Sequence, residues 1–162
     1  MKKWFVIGLC MVLLSGCASE ETFETLADEL VPSVSAQVRD IYVALPEQAA
    51  SPVSESDSGC LYQCDGYEIM VQTMASGDLD ATIRAVSGYG RDGVTVMENN
   101  TGEFRKYEFV WASAGETGDR VGKAVILDDG NYHYAVSILS DADRVEEYRE
   151  VWQELLESVS LR

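Results

Sequence analysis

Histidine occurs once in 162 residues, proline three times, and Lys and Arg together only 12 times. A lone histidine, His133, rules out a zinc centre built on several imidazoles, and no second Cys pair is present to complete a tetrahedral site. No apolar run reaches the roughly 20 residues needed to span a bilayer as a helix; the longest, Trp4 to Leu14, is half that length. Internal repeats are absent. The shortage of Lys and Arg against 28 acidic residues gives a net charge of −16, which repels nucleic acid phosphates and anionic lipid headgroups, because binding either requires clustered cations. That charge keeps a domain soluble; a cation or a basic partner is the alternative use for it.

What is present begins at the N-terminus. Lys2 and Lys3 precede the eleven apolar residues Trp4 to Leu14, the pattern of a secretory signal. The following Leu14-Ser15-Gly16-Cys17 resembles the lipobox of bacterial lipoproteins. The resemblance implies a diacylglyceryl group on the Cys17 thiol and cleavage between Gly16 and Cys17. An ordinary small-residue cleavage site that contains a Cys is the competing reading. On the lipoprotein reading, residues 1–16 are a signal peptide, 17–32 a lipidated Cys and acidic tether, and 33–162 one domain. Loss of Lys2 and Lys3 with the leader leaves 10 basic residues against 28 acidic ones, a net of −18. The remaining length suits a single domain able to bury a core without staples.

With Cys10 in the leader and Cys17 acylated, Cys60 and Cys64 remain. An exported compartment permits a disulfide. On a strand, however, these two lie roughly 13 Å apart, beyond the about 7 Å that bridged Cα atoms tolerate. The pair is expected to stay unbridged.

Ala18 to Pro32 has no Lys or Arg and reads as a spacer, although Phe23, Leu26 and Leu30 have the spacing of a short helix. Val34, Val38, Ile41 and Leu45 predict a helix over 33–45, capped by Ser33 and stopped by Pro46; a strand at 41–45 competes. Glu47 to Ser58 reads as loop. From Gly59 the apolar period becomes two. Leu61–Cys64 and Tyr67–Ala75 flank Asp65-Gly66, a strong hairpin signal. Asp78 is placed to cap a helix carrying Leu79, Ile83 and Val86, closed by Gly88. Strands are expected at Val94–Glu98, Phe104–Ala112, Val121–Leu127 and Tyr132–Leu139, joined by turns rich in Gly, Asn and Asp. A terminal helix carries Val145, Tyr148, Val151, Trp152, Leu155, Leu156 and Val159 on one face, with Ser140 and Asp143 resembling a capping box. Because some strands are apolar on both sides, the expected fold is α+β: an antiparallel sheet of about six strands with helices on both faces.

This order, with the stretch Gly118-Asp-Arg-Val-Gly-Lys-Ala-Val-Ile-Leu-Asp-Asp-Gly-Asn-Tyr-His-Tyr and the Trp152-bearing helix, resembles the PsbP-like fold over residues 59–162. The resemblance implies an α/β/α sandwich that binds other proteins, and it supplies no catalytic residues to carry over.

Several residues invite chemistry. His133 could act as a general base, but no nucleophile elbow accompanies it. Asp128-Asp129-Gly130-Asn131 could hold a cation, although it lacks EF-hand spacing and suits a hairpin turn. Gly88 to Gly93 follows a helix instead of preceding one, so it is a connection and not a phosphate loop. Trp111 and Trp152 fit core positions better than ligand platforms. The loop Ser113 to Asp119 exceeds a tight hairpin, and its acidic Glu116 and Asp119 are the candidate partner contacts. The expectation is a non-enzymatic, lipid-anchored module on the outer side of a cell membrane, binding an envelope protein, with a small-ligand or cation binder as the alternative. No cofactor, metal or nucleic acid is implied.

Overall fold

Seven antiparallel strands form the main sheet, in the order β2-β3-β4-β8-β7-β6-β5. They are β2 (Ser54–Ser56), β3 (Gly59–Gln63), β4 (Tyr67–Ala75), β5 (Thr95–Asn99), β6 (Arg105–Ala114), β7 (Asp119–Asp128) and β8 (Tyr132–Asp141). Two further short strands, β1 (Ile41–Tyr42) and β9 (Ser160–Leu161), pair with each other. The helices are α1 (Leu79–Ser87) and α2 (Val145–Ser158). These elements come from a computed structural model that describes residues 37–100, 102–114 and 118–162. Among those residues no helix is long and apolar enough to cross a membrane.

The sheet joins two meanders, β2-β3-β4 and β5-β6-β7-β8, through the pairing of β4 with β8. Chain order requires a crossover from β4 to the distant edge strand β5, and α1 makes it. Asp78 caps α1 by accepting from the Asp80 amide at 2.9 Å, and Gly88 (φ +80°) closes it by donating to the Arg84 carbonyl. This is the start and stop read from the sequence. Strand alternation then separates two cores. On one face, Ile83 of α1 packs with Tyr107, Phe109, Trp111, Ala124, Ile126 and Ala135. On the other, Tyr148, Trp152, Leu155 and Leu156 of α2 pack with Ile69, Val125, Leu127, Tyr134, Val136 and Ile138. Each buried side chain of that size contributes about 1.5–3 kcal/mol relative to exposure, so most of α2's stability comes from docking and not from propensity.

The expected β3–β4 hairpin forms, with Gly66 at φ +83° in its turn. A Cβ there would meet both a strained dihedral and the Arg144 guanidinium, which lies across the turn. Arg144 pairs with Asp65 at 3.6 Å and Glu147 at 3.3 Å, and sits over the Tyr148 ring.

Four expectations need correction. The helix placed over 33–45 is not found among its described residues: the chain is extended there, with β1 in its middle. Ile41, Val43 and Leu45 alternate onto the second core while Val38 is exposed, so a period of two overrides the coincidental period of four. The sheet has seven strands, not six, because Ser54–Ser56 pairs with β3. That three-residue, fully polar edge strand carries no apolar pattern to detect. Two α-helices, not three, are present among the described residues. Finally, Ser140 is not a helix cap. It lies inside β8, which pairs with β7 as far as Asp141, and α2 starts after Arg144 with no side-chain cap.

Candidate functional site

The densest polar cluster lies inside the α1 face. Strand alternation turns His133 inward from β8, where it is 2% exposed. Its Nδ1 is 2.6 Å from the Thr82 hydroxyl on α1. Its Nε2 is 3.3 Å from the Ser76 hydroxyl and 3.8 Å from Asp128 Oδ2. A lone pair on Nε2 would face that carboxylate, so the proton is assigned to Nε2. Thr82 then donates to Nδ1, Nε2 donates to Ser76, and Ser76 donates to Asp128 Oδ1 at 3.4 Å. Asp128 also accepts from the Gly130 amide at 2.7 Å and pairs with Arg105 at 3.0 Å. Burial holds the His133 pKa below its ordinary value, against the opposing pull of Asp128.

Ser76 and Asp128 share the Nε2 side, whereas a triad sets nucleophile and acid on opposite ring nitrogens. Thr82 does lie across the ring from Asp128, but it is 4% exposed and the imidazole 2%, so its hydroxyl is enclosed with the ring. The network ties α1 and the β4–α1 connection to the β7–β8 hairpin. Sequence reading placed His133 on a sheet face but could not find Ser76 or Thr82, which meet it from 57 and 51 residues away. Only the inward parity of position 133 was available as a signal.

The turn at Asp128-Asp129-Gly130-Asn131 directs both carboxylates into the protein. Asp129 accepts from the amides of Asn131 and Tyr132 at 2.8 and 2.7 Å, and from the Tyr134 hydroxyl at 3.0 Å. Burial alone would raise its pKa; these bonds and the Arg39 charge outweigh that and hold it below the usual range. Arg39 also pairs with Glu103 at 3.1 Å and lies over Phe104, beside a polar cleft of about 560 Å³ that Arg162 and Asp40 help to line. The cation reading of this turn therefore loses its ligands to internal bonds. Among the described residues no group of three or more His, Cys, Asp or Glu could hold a metal.

A second depression lies beside α1, at the end of the sheet away from His133. Met70, Gln72, Val86, Trp111, Ser137 and Leu139 line it.

Of the residues singled out from the sequence, Cys17 and Glu116 lie outside the described residues. Asp119 opens β7, is exposed, and accepts from the Ala142 amide through its carbonyl at 2.8 Å. Trp111 and Trp152 are buried in opposite cores, as their spacing implied. Cys60 and Cys64 are unbridged, the first in β3 and the second just past its end.

No family profile matches the sequence, and no curated protein matches it. Solved structures do resemble the fold. A protein from Bacteroides thetaiotaomicron superposes with a TM-score of 0.51 at 9% identity, over 75% of this chain and 45% of its own. The chain thus spans under half the length of that protein. LpqN, described as involved in cell envelope biogenesis of Mycobacterium tuberculosis, gives a TM-score of 0.49 at 10% identity, over 76% of this chain and 84% of its own. At such identities the likeness concerns architecture.

Proposed function

We propose that this chain is a lipoprotein held by Cys17 on the outer side of a cell membrane, and that its domain is a non-catalytic module for binding another envelope protein. Anchoring rests on the basic flank, apolar run and Leu-Ser-Gly-Cys sequence. The observation that carries the non-catalytic half is the enclosure of His133. Both ring nitrogens are engaged by hydroxyl groups of the protein, and the ring is 2% exposed, so it has no face to offer a substrate. A helix on each face of an antiparallel sheet supports the PsbP-like reading, with its protein-binding expectation. Within this proposal the Glu116 and Asp119 loop is the partner contact. The test is capture from native membranes by the full-length protein. The wild-type chain should carry a metabolic fatty-acid label and retain a partner that the Glu116→Lys, Asp119→Lys variant releases. A label persisting on Cys17→Ala would refute the anchor, and undiminished capture by the double variant would remove the loop.

A second reading, binding of a small ligand, draws support from one feature: the depression beside α1 is lined by the Ser137 hydroxyl, which has no hydrogen-bond partner among the described residues.

A further inference from the structure

Rows of side chains run across the α1 face at right angles to the strands. One row reads Leu61, Met70, Ser137, Ala124, Phe109, Val96 from β3 to β5. The next contains Leu139, Gly122 and Trp111. The smallest members, Ser137, Ala124 and Gly122, sit together over β8 and β7, so the sheet dips at its centre while large residues rise on either side. Gly122 is required there: a Cβ would collide with the Trp111 ring, which rests on the bare backbone. The nine-residue α1 fills only part of the dip with Ile83. What remains is a groove of about 120 Å³, walled by Met70, Leu139, Val86 and Trp111.

Two polar groups face this apolar slot. Ser137 is only 8% exposed, and neither its hydroxyl nor the Gln72 amide has a hydrogen-bond partner among the described residues. The hydroxyl is reachable from the groove, since Trp152 Nε1 is the side-chain polar atom sealed from solvent without a partner among the described residues, so a guest in the groove can bond to it. Glu68 at the rim is already held by Arg120 at 3.2 Å, so the groove offers a ligand neutral hydrogen-bonding groups and no free charge.

We propose that this groove binds a small, uncharged molecule consisting of one ring with a single hydrogen-bonding substituent, such as a phenol, with the substituent on Ser137 and Gln72. This rests on the ligand-binding reading above. An enclosed apolar cavity of roughly 150 Å³ accommodates benzene; at about 120 Å³ this open groove seats most of one ring and leaves the rest outside it. Chemistry fits as well, since small-molecule sites combine apolar walls with a few fixed polar groups.

The test is an NMR titration of the ¹⁵N-labelled Cys17→Ala chain lacking only its leader, using p-cresol and toluene as probes. p-Cresol should shift the Ser137 and Met70 amides, the Gln72 side-chain amide and the Trp111 indole, saturably. Toluene should bind about threefold to tenfold more weakly, the value of one neutral hydrogen bond. Ser137→Ala, which removes only an oxygen, should erase that preference and leave toluene unchanged. Equal binding of the two probes, unaffected by Ser137→Ala, would overturn the assigned ligand class while keeping the groove as a site. Silence of all four reporters to both probes would overturn the site itself, and with it the ligand-binding reading. Gln72→Ala gives the same comparison should the Ser137 variant fail to fold.

Discussion

Trp152 anchors α2, yet its indole Nε1–H is buried with no hydrogen-bond partner. The two facts pull in opposite directions, and two substitutions separate them. Trp152→Ala removes the whole ring from the second core and should cost about 3–5 kcal/mol. Trp152→Phe gives up the pyrrole part of the ring, roughly two CH₂ equivalents at about 0.8 kcal/mol each. It also deletes an unpaired donor whose burial costs about 1–3 kcal/mol. These nearly cancel, so the phenylalanine variant should lie within about 1 kcal/mol of wild type. Urea unfolding followed by far-UV circular dichroism reads the difference. With a slope of about 2 kcal/mol per M, the alanine variant should lose about 1.5–2.5 M in midpoint, and the phenylalanine variant at most about 0.5 M. An alanine midpoint equal to wild type would mean that α2 does not dock through Trp152. A phenylalanine variant as damaged as alanine would mean that the N–H is bonded in solution, and the argument from its isolation would fail.

Two further predictions follow from buried titratable groups. The folded-state pKa of His133 lies below its unfolded value near 6.5, so the unfolded chain takes up the proton first; stability should be complete above about pH 7 and fall as pH drops from there toward the lowered value. Urea midpoints from pH 7.5 to 5 should show this slope for wild type and lose it in His133→Gln, since no other histidine titrates in that range; an unchanged slope would refute the assignment. For the cysteines, the unfolded, unreduced Cys17→Ala chain without its leader should titrate as two free thiols, and in the native state Cys64, buried and with its pKa raised by that burial, should label more slowly than half-buried Cys60; no free thiol, with no dimer on a non-reducing gel, would contradict the unbridged pair.

What could be read from the sequence was whatever local chemistry dictates. Asp78 and Gly88 bound α1, Asp65-Gly66 turns the β3–β4 hairpin, and the apolar face of α2 is complete from Tyr148 to Leu156. What escaped depends on distant pairing. Ser54–Ser56 is a strand only because β3 offers it a ladder, and at Ile41–Tyr42, where a strand competed with the helix reading, pairing with β9 decides. The candidate sites divide in the same way. The inward place of His133 follows from alternation, whereas its hydroxyl partners and the dip around Ser137 arise from register across four or five strands, which no local pattern encodes.

The clasp between β1 and β9 gives the domain a polarity. Asp40 and Arg162 exchange backbone hydrogen bonds at 3.3 and 3.0 Å, the Arg39 amide donates to Tyr134, and the Ala44 amide donates to Ser158. A pull arriving through residue 37 is thus shared among β8, β9 and α2, and spares the edge strands β2 and β5. Arg39 reaches Asp129, so this loaded end is the one with the β7–β8 turn. The opposite end, where Ala114 pairs with Asp119, lies the length of β7 away, about 30 Å at strand rise. Under the anchoring proposed here, a partner that engages Asp119 would meet the end of the sheet opposite the one that residue 37 enters.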